Sequence, residues 1–395
     1  MPTGITTAAD LSPKVQAYYD KRFLLMAIPQ LAFYQLGQKR PLPKNSGKTI
    51  YFSRYSPLPK RTTPLTETRN GGITDGKKIQ VQELSATVAE YGDYVEISEI
   101  ASLTNIDPTI KNKVDIVSEQ ASQSVEEIIK LEVGTGFMRR RADGNTSYQI
   151  DGIATGGTNN TLIDTANLTQ ANSYWNGGFV TFTNPLSPNY GKTAQISNFV
   201  SASNTLTLAT NMPDPIGAGG YQETYRLVVG TGITASSKLT TAAIDLAVRD
   251  LKKNKALRMP DGGFVCVIDP DLELDFKNDP KWYNPATYKD KVDYLYNGEI
   301  GKWNNVRFVE ATEVYRETVA GVYSESGDVH IATVLGREAF GVVDLEGNQK
   351  KIYIRQPEQL AQPIPMTSTI GWKVGFVAKV LNGCFGINLV CGATK

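Results

Sequence analysis

One long amphipathic helix in the first half of the chain constrains the fold most. Asp107 suits the N-cap position and Pro108 the first helical position, and no glycine follows until Gly134. Apolar residues recur at three-to-four spacing, which places them on one face of the helix. They are Ile110, Val114, Val117, Ala121, Val125, Ile128 and Leu131. Such a helix of about 26 residues is about 39 Å long, and a single apolar stripe of this length predicts a structural beam.

The pattern also permits the helix to continue past Gly134. The positive charges of Arg139, Arg140 and Arg141 suit the C-terminal end of a helix, and Gly144 would then stop it. These arginines could contact phosphate, but a solvated helix end or an ion pair between subunits is the favoured prediction.

Two segments before the helix do not predict independent folded units. Residues 1–47 mix short apolar clusters with the run QKRPLPKNSGK, which no single helix or strand can contain, so we expect an arm. Residues 48–56 and 79–99 show the alternation of strands. The stretch between these strands holds three prolines and three glycines. The pair predicts a long hairpin that either stays flexible or packs on a neighbouring subunit.

Residues 150–235 differ abruptly in composition from the rest. They are rich in Thr, Asn, Ser and Gly, with almost no charge between Thr165 and Asp214. The short strands GGFVTFTN, KTAQISNFV, NTLTLAT and ETYRLVV recur about every ten residues, with turn clusters between them. This pattern is typical of a small all-β sandwich or barrel, and we expect an inserted domain.

The remaining sequence predicts a mixture of helices and strands. TTAAIDLAVRDLKKNKA has the pattern of an amphipathic helix, GGFVCVID that of a strand, and PDLELDFKND that of a short helix begun by Asp269 and Pro270. Alternating strands continue from Val306 to the end of the sequence. The predicted fold class is therefore α+β.

Charge and histidine content exclude several functions. The 41 Lys and Arg residues balance 40 Asp and Glu residues, so the chain has no overall attraction to nucleic acid or to anionic membranes. The single histidine, His330, excludes sites with several histidine ligands. It lies in a probable strand without a recognisable nucleophile motif, which favours a structural role. We predict no catalytic, cofactor-binding or metal-binding residue.

The cysteines and the apolar runs indicate a protein of a reducing compartment. Cys266, Cys384 and Cys391 are odd in number and form no CxxC pair, so we expect small buried hydrophobic residues rather than disulfides. The first residues lack a basic stretch before an apolar core, so no signal peptide is predicted. The C-terminal run VGFVAKVLNGCFGINLVCG is interrupted by Lys379 and Asn382, which favours buried strands over a membrane span.

Two short motifs fail when their spacing is examined. The string GKT occurs twice, but Leu42 and Leu186 occupy the positions where a phosphate-binding loop needs a further glycine, so each GKT is predicted to open a strand. The acidic run from Asp269 matches only the first ligands of a calcium loop. Leu274 replaces the required glycine and Pro280 the final glutamate.

Four separated strings resemble one protein family. They are LSPKVQAYYDKRFLLMAIPQLAFYQLGQKRPLPKNSGKTIYFSRYSPL, LRMPDGGFVCVIDPDLELDF, YNGEIGKWNNVRFVEATE and IGWKVGFVAKVLN. Together with the order of arm, hairpin, beam helix and α+β body, they resemble the major capsid protein of tailed bacteriophages, which has the Hong Kong-type coat fold. The resemblance points to the branch related to coat proteins of short-tailed phages with large virion polymerases. It covers nearly all of the chain outside 150–235. Within that segment, Trp175 to Val228 resembles a small β module of phage structural proteins.

The resemblance implies a division of the chain. Residues 1–47 would be the N-terminal arm, 48–100 the extended hairpin loop, 101–149 the peripheral domain with the spine helix, 150–235 the inserted β-rich domain, and 236–395 the axial domain with strands returning to the periphery. Contacts between subunits are expected from the arm and the hairpin. They involve Phe23, Leu24, Leu25, Ile50, Tyr51, Phe52, Lys60 and Arg61.

The resemblance also implies function and partners. The chain would self-assemble through pentamers and hexamers into an icosahedral shell around double-stranded DNA, without catalysis or a cofactor. The expected partners are a separate scaffolding protein, a portal protein and a decoration protein, and the expected location is the virion, assembled in the host cytoplasm. Lys60, Lys77 and Lys78 are chemically eligible for covalent cross-links, but no motif marks a partner Asn.

Two alternatives remain open at the level of sequence. An encapsulin-type compartment shares the fold and encloses protein cargo instead of DNA. An enzyme or a carbohydrate-binding protein that uses the segment 150–235 as its binding domain belongs to another class, and it predicts a monomer or a small oligomer with a ligand.

Overall fold

A computed structural model describes most of the chain after residue 31. The described residues are 32–43, 47–55, 57–58, 60–67, 79, 81–98, 109–217, 222–234, 237–282, 299–312, 314–318, 328–345, 351–355 and 367–394. The predicted helix start at Asp107 and Pro108 lies outside them, as do Lys77 and Lys78.

Strands predominate over helices in the described residues. The α-helices are α1 (Ala32–Leu36), α2 (Thr109–Gly136), α3 (Thr241–Lys253) and α4 (Pro270–Lys277). The strands of the first half are β1 (Gln38–Lys39), β2 (Thr49–Tyr55), β3 (Val81–Thr87), β4 (Ala89–Ser98), β5 (Met138–Arg141), β6 (Gln149–Ile153), β7 (Gly156–Gly157), β8 (Thr161–Ile163), β9 (Phe179–Phe182), β10 (Thr193–Val200) and β11 (Thr205–Leu208). The later strands are β12 (Thr224–Val228), β13 (Phe264–Ile268), β14 (Glu299–Trp303), β15 (Val306–Glu310), β16 (Arg316–Thr318), β17 (Asp328–Leu335), β18 (Phe340–Asp344), β19 (Lys351–Arg355), β20 (Thr367–Val380) and β21 (Gly386–Cys391).

Strand β20 is the centre of the first sheet. One of its edges pairs with β4 along Thr367–Phe376, and the other edge pairs with β19 along 369–373 and with β18 along 376–380. Strand β1 extends the sheet by pairing with β18 in parallel. The side chains of Trp372, Val374 and Phe376 face α2 and form one apolar core with it. The long helix thus lies across this sheet as the predicted beam.

The apolar stripe of α2 follows the prediction over most of its length. Val114, Val117, Ala121 and Val125 are all at most 2% exposed. The buried positions then continue at Ile129 and Val133. The prediction was wrong for Leu131, which is 49% exposed, because it lies six residues beyond Val125 and so about 120° around the helix from the stripe.

The helix does not continue through the arginine run. It ends at Gly136, and Arg139, Arg140 and Arg141 lie in strand β5, which pairs in parallel with β21. Two glycines weaken the last helical turn, and they let it approach its neighbours closely. A Cβ atom at Gly136 would lie 2.6 Å from Val380.

The second sheet has the strand order β14-β15-β13-β17-β21-β5, with β16 paired to β17. Helices α3 and α4 cover it, and their apolar residues share a core with β13 and β21. Thr240 caps α3 by accepting a hydrogen bond from the amide of Ala243, and Asp269 caps α4 through the amide of Leu272. The helices and strand predicted for residues 236–277 are confirmed.

The third sheet contains all four strands predicted between residues 150 and 235. Its order is β6-β12-β9-β10-β11-β8-β7, and the register of β10 shifts between Ile196 and Asn198. Because of this irregularity, one end of β10 pairs with β9 and the other with β11. The sheet encloses its own core around Trp175, which is completely buried. We call strands β6–β12 the inserted sheet.

The apolar C-terminal run forms strands, as predicted. Residues 374–380 belong to β20 and 386–391 to β21. Among the described residues, no helix is long and apolar enough to cross a membrane. Cys266, Cys384 and Cys391 are free thiols buried in the core, as predicted, and burial raises the pKa of Cys384 to about 12.

Candidate assembly interface

Strands β2 and β3 form an antiparallel hairpin. Thr49 pairs with Thr87 at its base, and Tyr55 pairs with Val81 at its other end. Because side chains alternate across a strand, one face carries Ile50 and Phe52 of β2 with Leu84 and Ala86 of β3. These four residues are buried against Leu42, Val88 and Val343 in one small core. One face of the hairpin therefore packs on its own subunit.

The opposite face and the chain beyond it expose large apolar side chains. Six residues are between 48% and 69% exposed. They are Tyr51, Tyr55, Leu58, Leu65, Ile79 and Val81. We call this set the hairpin patch. Tyr51, Tyr55 and Val81 share the outer face of the hairpin, and an exposed apolar face of this kind marks interaction sites.

Polar contacts fix the direction of the hairpin. The Arg54 guanidinium donates hydrogen bonds to the backbone oxygen of Tyr190 and to the side chain of Gln82, while the amide group of Gln82 donates to the backbone oxygen of Pro188. Arg54 also lies 5.3 Å from the centre of the Tyr190 ring. The hairpin is thus attached to the loop between β9 and β10 of the inserted sheet.

The structure separates the predicted contact residues into three groups. Phe23, Leu24 and Leu25 lie outside the described residues. Lys60 and Arg61 are exposed beyond the end of β2. Ile50 and Phe52 face their own subunit, whereas Tyr51 between them is 57% exposed.

Sequence reasoning missed the other five residues of the hairpin patch. The alternation along β2 and β3 was visible in the sequence. It did not show which face of the hairpin would be covered by the same chain.

A second exposed patch lies on the first sheet. Tyr91, Tyr94 and Val95 of β4 and Tyr353 of β19 are between 37% and 63% exposed. In the register of the sheet, Gly371 of β20 pairs with Tyr94 on one side and with Tyr353 on the other. This sheet therefore presents a row of aromatic side chains with a glycine between them.

The arginine run is buried and paired within the chain, which corrects the prediction of a solvated helix end or an intersubunit pair. Arg139 binds Glu317 through both terminal nitrogens at 2.8 and 2.6 Å, and its guanidinium lies 3.5 Å from the centre of the Phe179 ring. Arg141 binds Asp143 at 3.0 and 2.7 Å. Opposite charges at hydrogen-bond distance offset the cost of burying these arginines.

Asp250 links three parts of the structure. Its Oδ2 atom accepts hydrogen bonds from Arg140 of β5 at 2.5 Å and from Arg226 of β12 at 2.6 Å, and Arg226 also binds Asp151 of β6. Burial alone would raise the pKa of Asp250, but the charges of Arg226 and Arg140 outweigh it and hold the pKa below its usual value. This ion-pair cluster attaches the inserted sheet to α3 and to the second sheet.

His330 lies in strand β17, as predicted, and is 2% exposed. Its Nδ1 atom is 2.5 Å from Oδ2 of Asp269. Asp269, Asp271 and His330 place potential metal-ligand atoms within 4.8 Å of one another. However, the Arg316 guanidinium contacts Asp269 at 3.1 Å and Asp271 at 3.2 Å. Since a cation already occupies this position, we interpret the group as an ion-pair network.

No protein-family model matches the chain, and no curated protein matches it in sequence. Among solved structures, the capsid of Ralstonia phage GP4 aligns over 93% of both chains with a TM-score of 0.56 and 13% identity. The capsid asymmetric unit of cyanophage Pam1 aligns over 89% of this chain and 87% of that chain, with a TM-score of 0.50 and 13% identity. The holo-SrpI encapsulin complex from Synechococcus elongatus PCC 7942 aligns with a TM-score of 0.45, which is too low to support an argument.

These likenesses define the fold. The chain is an α+β protein with the fold of phage capsid proteins, as the sequence resemblance predicts. At 13% identity the likeness concerns the fold alone.

Proposed function

We propose that the chain is the major subunit of an icosahedral capsid that encloses the double-stranded DNA genome of a tailed bacteriophage, in the branch related to short-tailed phages with large virion polymerases. The observation that carries this proposal is the capsid fold, which extends over 93% of the chain and 93% of the capsid protein of Ralstonia phage GP4.

The hairpin patch supplies the physical reason for assembly. Its six apolar side chains are exposed on the single chain, so association with a neighbouring subunit would remove apolar surface from water. Ile50 and Phe52 hold the other face of the hairpin on its own subunit. One subunit would therefore fix the hairpin, and its neighbour would cover the exposed face.

Within this proposal, the arm up to residue 47 and the loop 48–100 make the contacts between subunits, including those of Lys60 and Arg61. The shell is built from pentamers and hexamers with the help of a separate scaffolding protein, a portal protein and a decoration protein. It forms in the host cytoplasm and becomes part of the virion. The balance of 41 basic and 40 acidic residues suits a wall that does not bind its genome tightly.

Electron microscopy of the purified protein tests the proposal. We expect closed particles of megadalton mass in negative stain and in sedimentation. A monomer or small oligomer under all conditions would contradict the proposal and favour a binding protein. The contents of particles purified from the natural source distinguish nuclease-protected DNA, which we expect, from the protein cargo of an encapsulin-type compartment.

Removal of residues 57–78 tests the role of the hairpin. We expect the shortened chain to remain soluble and to form no closed shells, because the part of the hairpin that reaches a neighbour is missing. Replacement of the same residues by a Gly/Ser linker of equal length is the matched control for chain connectivity, and it should also form no shells. Normal shells from either variant would refute the assignment of the loop.

A further inference from the structure

A cavity lies where the outer half of the hairpin meets the rest of the chain. It has a volume of about 530 Å³ and is lined by Phe52 and Arg54 of β2, by Tyr190 between β9 and β10, by Asn254 after α3, and by Leu381 after β20. This volume is within the range of about 300–1,000 Å³ that is typical of ligand pockets. We call the cavity the cationic cleft.

The cationic cleft has an excess of positive charge. Arg40, Arg54, Lys253 and Lys255 line it, and Glu338 is the single carboxylate among its lining residues. Glu338 already has a partner, since Arg337 lies 3.3 Å from it. Among the described residues that line the cleft, the four cations therefore have no free carboxylate to balance them.

Both guanidinium groups of the cleft are held by neutral partners. Arg40 donates to the backbone oxygen of Tyr51 at 3.3 Å and lies 5.5 Å from the centre of the Phe52 ring. Besides its bonds to Tyr190 and Gln82, Arg54 donates to the backbone oxygen of Leu381 at 3.4 Å. Such contacts orient a guanidinium group without neutralising its charge.

Burial makes the charge of Arg54 unfavourable, whereas Arg40, Lys253 and Lys255 are exposed. It lowers the pKa of Arg54 even though the nearby Cys384 and Tyr190 act in the opposite direction. Burial, together with the charges of Arg54 and Lys379, also lowers the pKa of Lys192 to about 8. An anion bound beside Arg54 would favour the charged form of both side chains.

Apolar side chains form the rest of the cleft wall. Phe52, Leu84, Leu381 and Phe385 contribute apolar surface between the charged groups. A small inorganic anion would leave this surface in contact with water. A ligand with a carboxylate next to an aliphatic or aromatic group would satisfy both the charges and the apolar wall.

We propose that the cationic cleft binds an acidic segment of a partner polypeptide, with its carboxylates on Arg54, Lys253 and Lys255 and an apolar side chain against Phe52 and Leu84. The segment would contact the hairpin, the loop between β9 and β10 and the end of α3 at once. Its binding would hold the hairpin at one angle to the body of the subunit.

A peptide fits the cleft better than nucleic acid does. Proteins bind the DNA backbone mainly through exposed Lys and Arg residues and polar groups that reach successive phosphates. Here the charges surround a confined cavity whose wall contains four apolar side chains. Duplex DNA keeps its bases stacked, so it has no apolar group to place against these side chains while its phosphates contact the cations.

Fluorescence anisotropy with the full-length chain tests the inference. The probe is a fluorescein-labelled peptide, Gly-Asp-Phe-Glu-Leu-Asp-Gly, and its control is the amide analogue Gly-Asn-Phe-Gln-Leu-Asn-Gly. We expect the acidic peptide to bind at least about tenfold more tightly than the amide peptide, because charge-assisted hydrogen bonds are lost in the analogue. Equal affinity for the two peptides would overturn the proposal.

Adjacent lysines on α3 provide a matched pair of variants. Lys253 lines the cationic cleft and Lys252 next to it does not, although both border a second depression of the surface. We expect the double variant Lys253→Glu with Lys255→Glu to weaken peptide binding at least about tenfold and Lys252→Glu to change it less than about twofold. Equal losses in both would refute the site.

Two further measurements complete the test. Arg54→Gln should weaken binding about tenfold. If that variant does not fold, the exposed lysine variants still decide the question. Labelled duplex DNA is the second probe. If it binds more tightly than the acidic peptide, and the Lys253→Glu/Lys255→Glu double variant loses that binding, the proposal is overturned in favour of nucleic acid. Because binding is measured on the chain in solution, the result is independent of whether the chain forms shells.

Discussion

Asp250 of α3 accepts a hydrogen bond from Arg140 of β5 at 2.5 Å, although the two residues are 110 positions apart in the chain. The same carboxylate binds Arg226 of the inserted sheet at 2.6 Å. A single buried carboxylate thus pairs with two arginines from different sheets, and Asp151 supplies Arg226 with a second negative charge. The stability of the junction between these sheets depends on it.

Asp250→Asn should destabilise the protein by about 3–5 kcal/mol, because it leaves Arg140 and Arg226 buried with too little negative charge. Urea denaturation of the wild type and the variant measures the change in the free energy of unfolding. Asp271→Asn is the control. Its side chain is 52% exposed, so the loss should stay below about 1 kcal/mol. Losses of similar size would contradict the assigned role of Asp250.

Acid should weaken the fold through three aspartates. The pKa values of Asp143, Asp250 and Asp269 are lowered. Burial opposes this shift, and the bonds to Arg141, Arg226 and His330, respectively, outweigh it. Since the unfolded pKa is about 3.9, their contribution to stability is present above that pH and is lost as the pH falls through the folded values.

Urea midpoints measured between about pH 6 and pH 3 check this dependence. We expect the free energy of unfolding to fall as the pH is lowered through this range. The fall should be smaller in Asp250→Asn, which lacks one of the three groups. Identical pH profiles for the variant and the wild type would show that Asp250 has no lowered pKa in the folded state.

The corrected stripe of α2 can be tested with two neighbouring substitutions. Ile129 is completely buried, whereas Leu131 is 49% exposed. Ile129→Ala should reduce the free energy of unfolding by about 2–5 kcal/mol because it leaves a cavity between helix and sheet. Leu131→Ala should change it by about 0.5 kcal/mol or less. A larger loss of stability in Leu131→Ala than in Ile129→Ala would show that Leu131 belongs to the buried stripe, as the sequence alone predicts.

The two faces of the hairpin should respond differently to substitution. Tyr55 is 69% exposed, so Tyr55→Ser should change stability by no more than about 0.5 kcal/mol. If Tyr55 is an anchor between subunits, the same variant should raise the concentration needed for particle assembly at least about tenfold. Light scattering during assembly measures this concentration.

Phe52→Ala is the control for the hairpin. Phe52 is 5% exposed and packs on its own subunit, so this substitution should lower the stability of the single chain by about 3–5 kcal/mol. Unchanged assembly by Tyr55→Ser, or a stable chain carrying Phe52→Ala, would show that the two faces have been assigned wrongly.

Local pattern was sufficient to predict many of the elements. The two GKT strings open strands as expected, since Thr49 and Thr193 are the first residues of β2 and β10. Asp269 caps the short helix that follows it. These features depend on residues within a few positions of one another, where alternation and capping act directly.

Long-range pairing was not predictable from the same patterns. The partners of Arg139 and Arg140 are Glu317 and Asp250, which are 178 and 110 residues away. No local pattern in one sequence connects such positions, so a charged run next to a helix was interpreted as exposed. The candidate interface shows the same limit. Alternation identified strand β2, but it did not show that Ile50 would be covered by the same chain and that Tyr51 would be exposed.

The first sheet can form only late in synthesis of the chain, because its paired strands are far apart in the sequence. Strand β4 is made early, but its partner β20 follows much later, as the hydrogen bond from Ser368 to the backbone of Ile97 spans 271 residues. Until β20 emerges, α2 has no sheet to cover and the core of the hairpin lacks its support. In the proposed assembly, a nascent or truncated chain would therefore lack the supported hairpin that contacts a neighbour, and only finished chains would be incorporated.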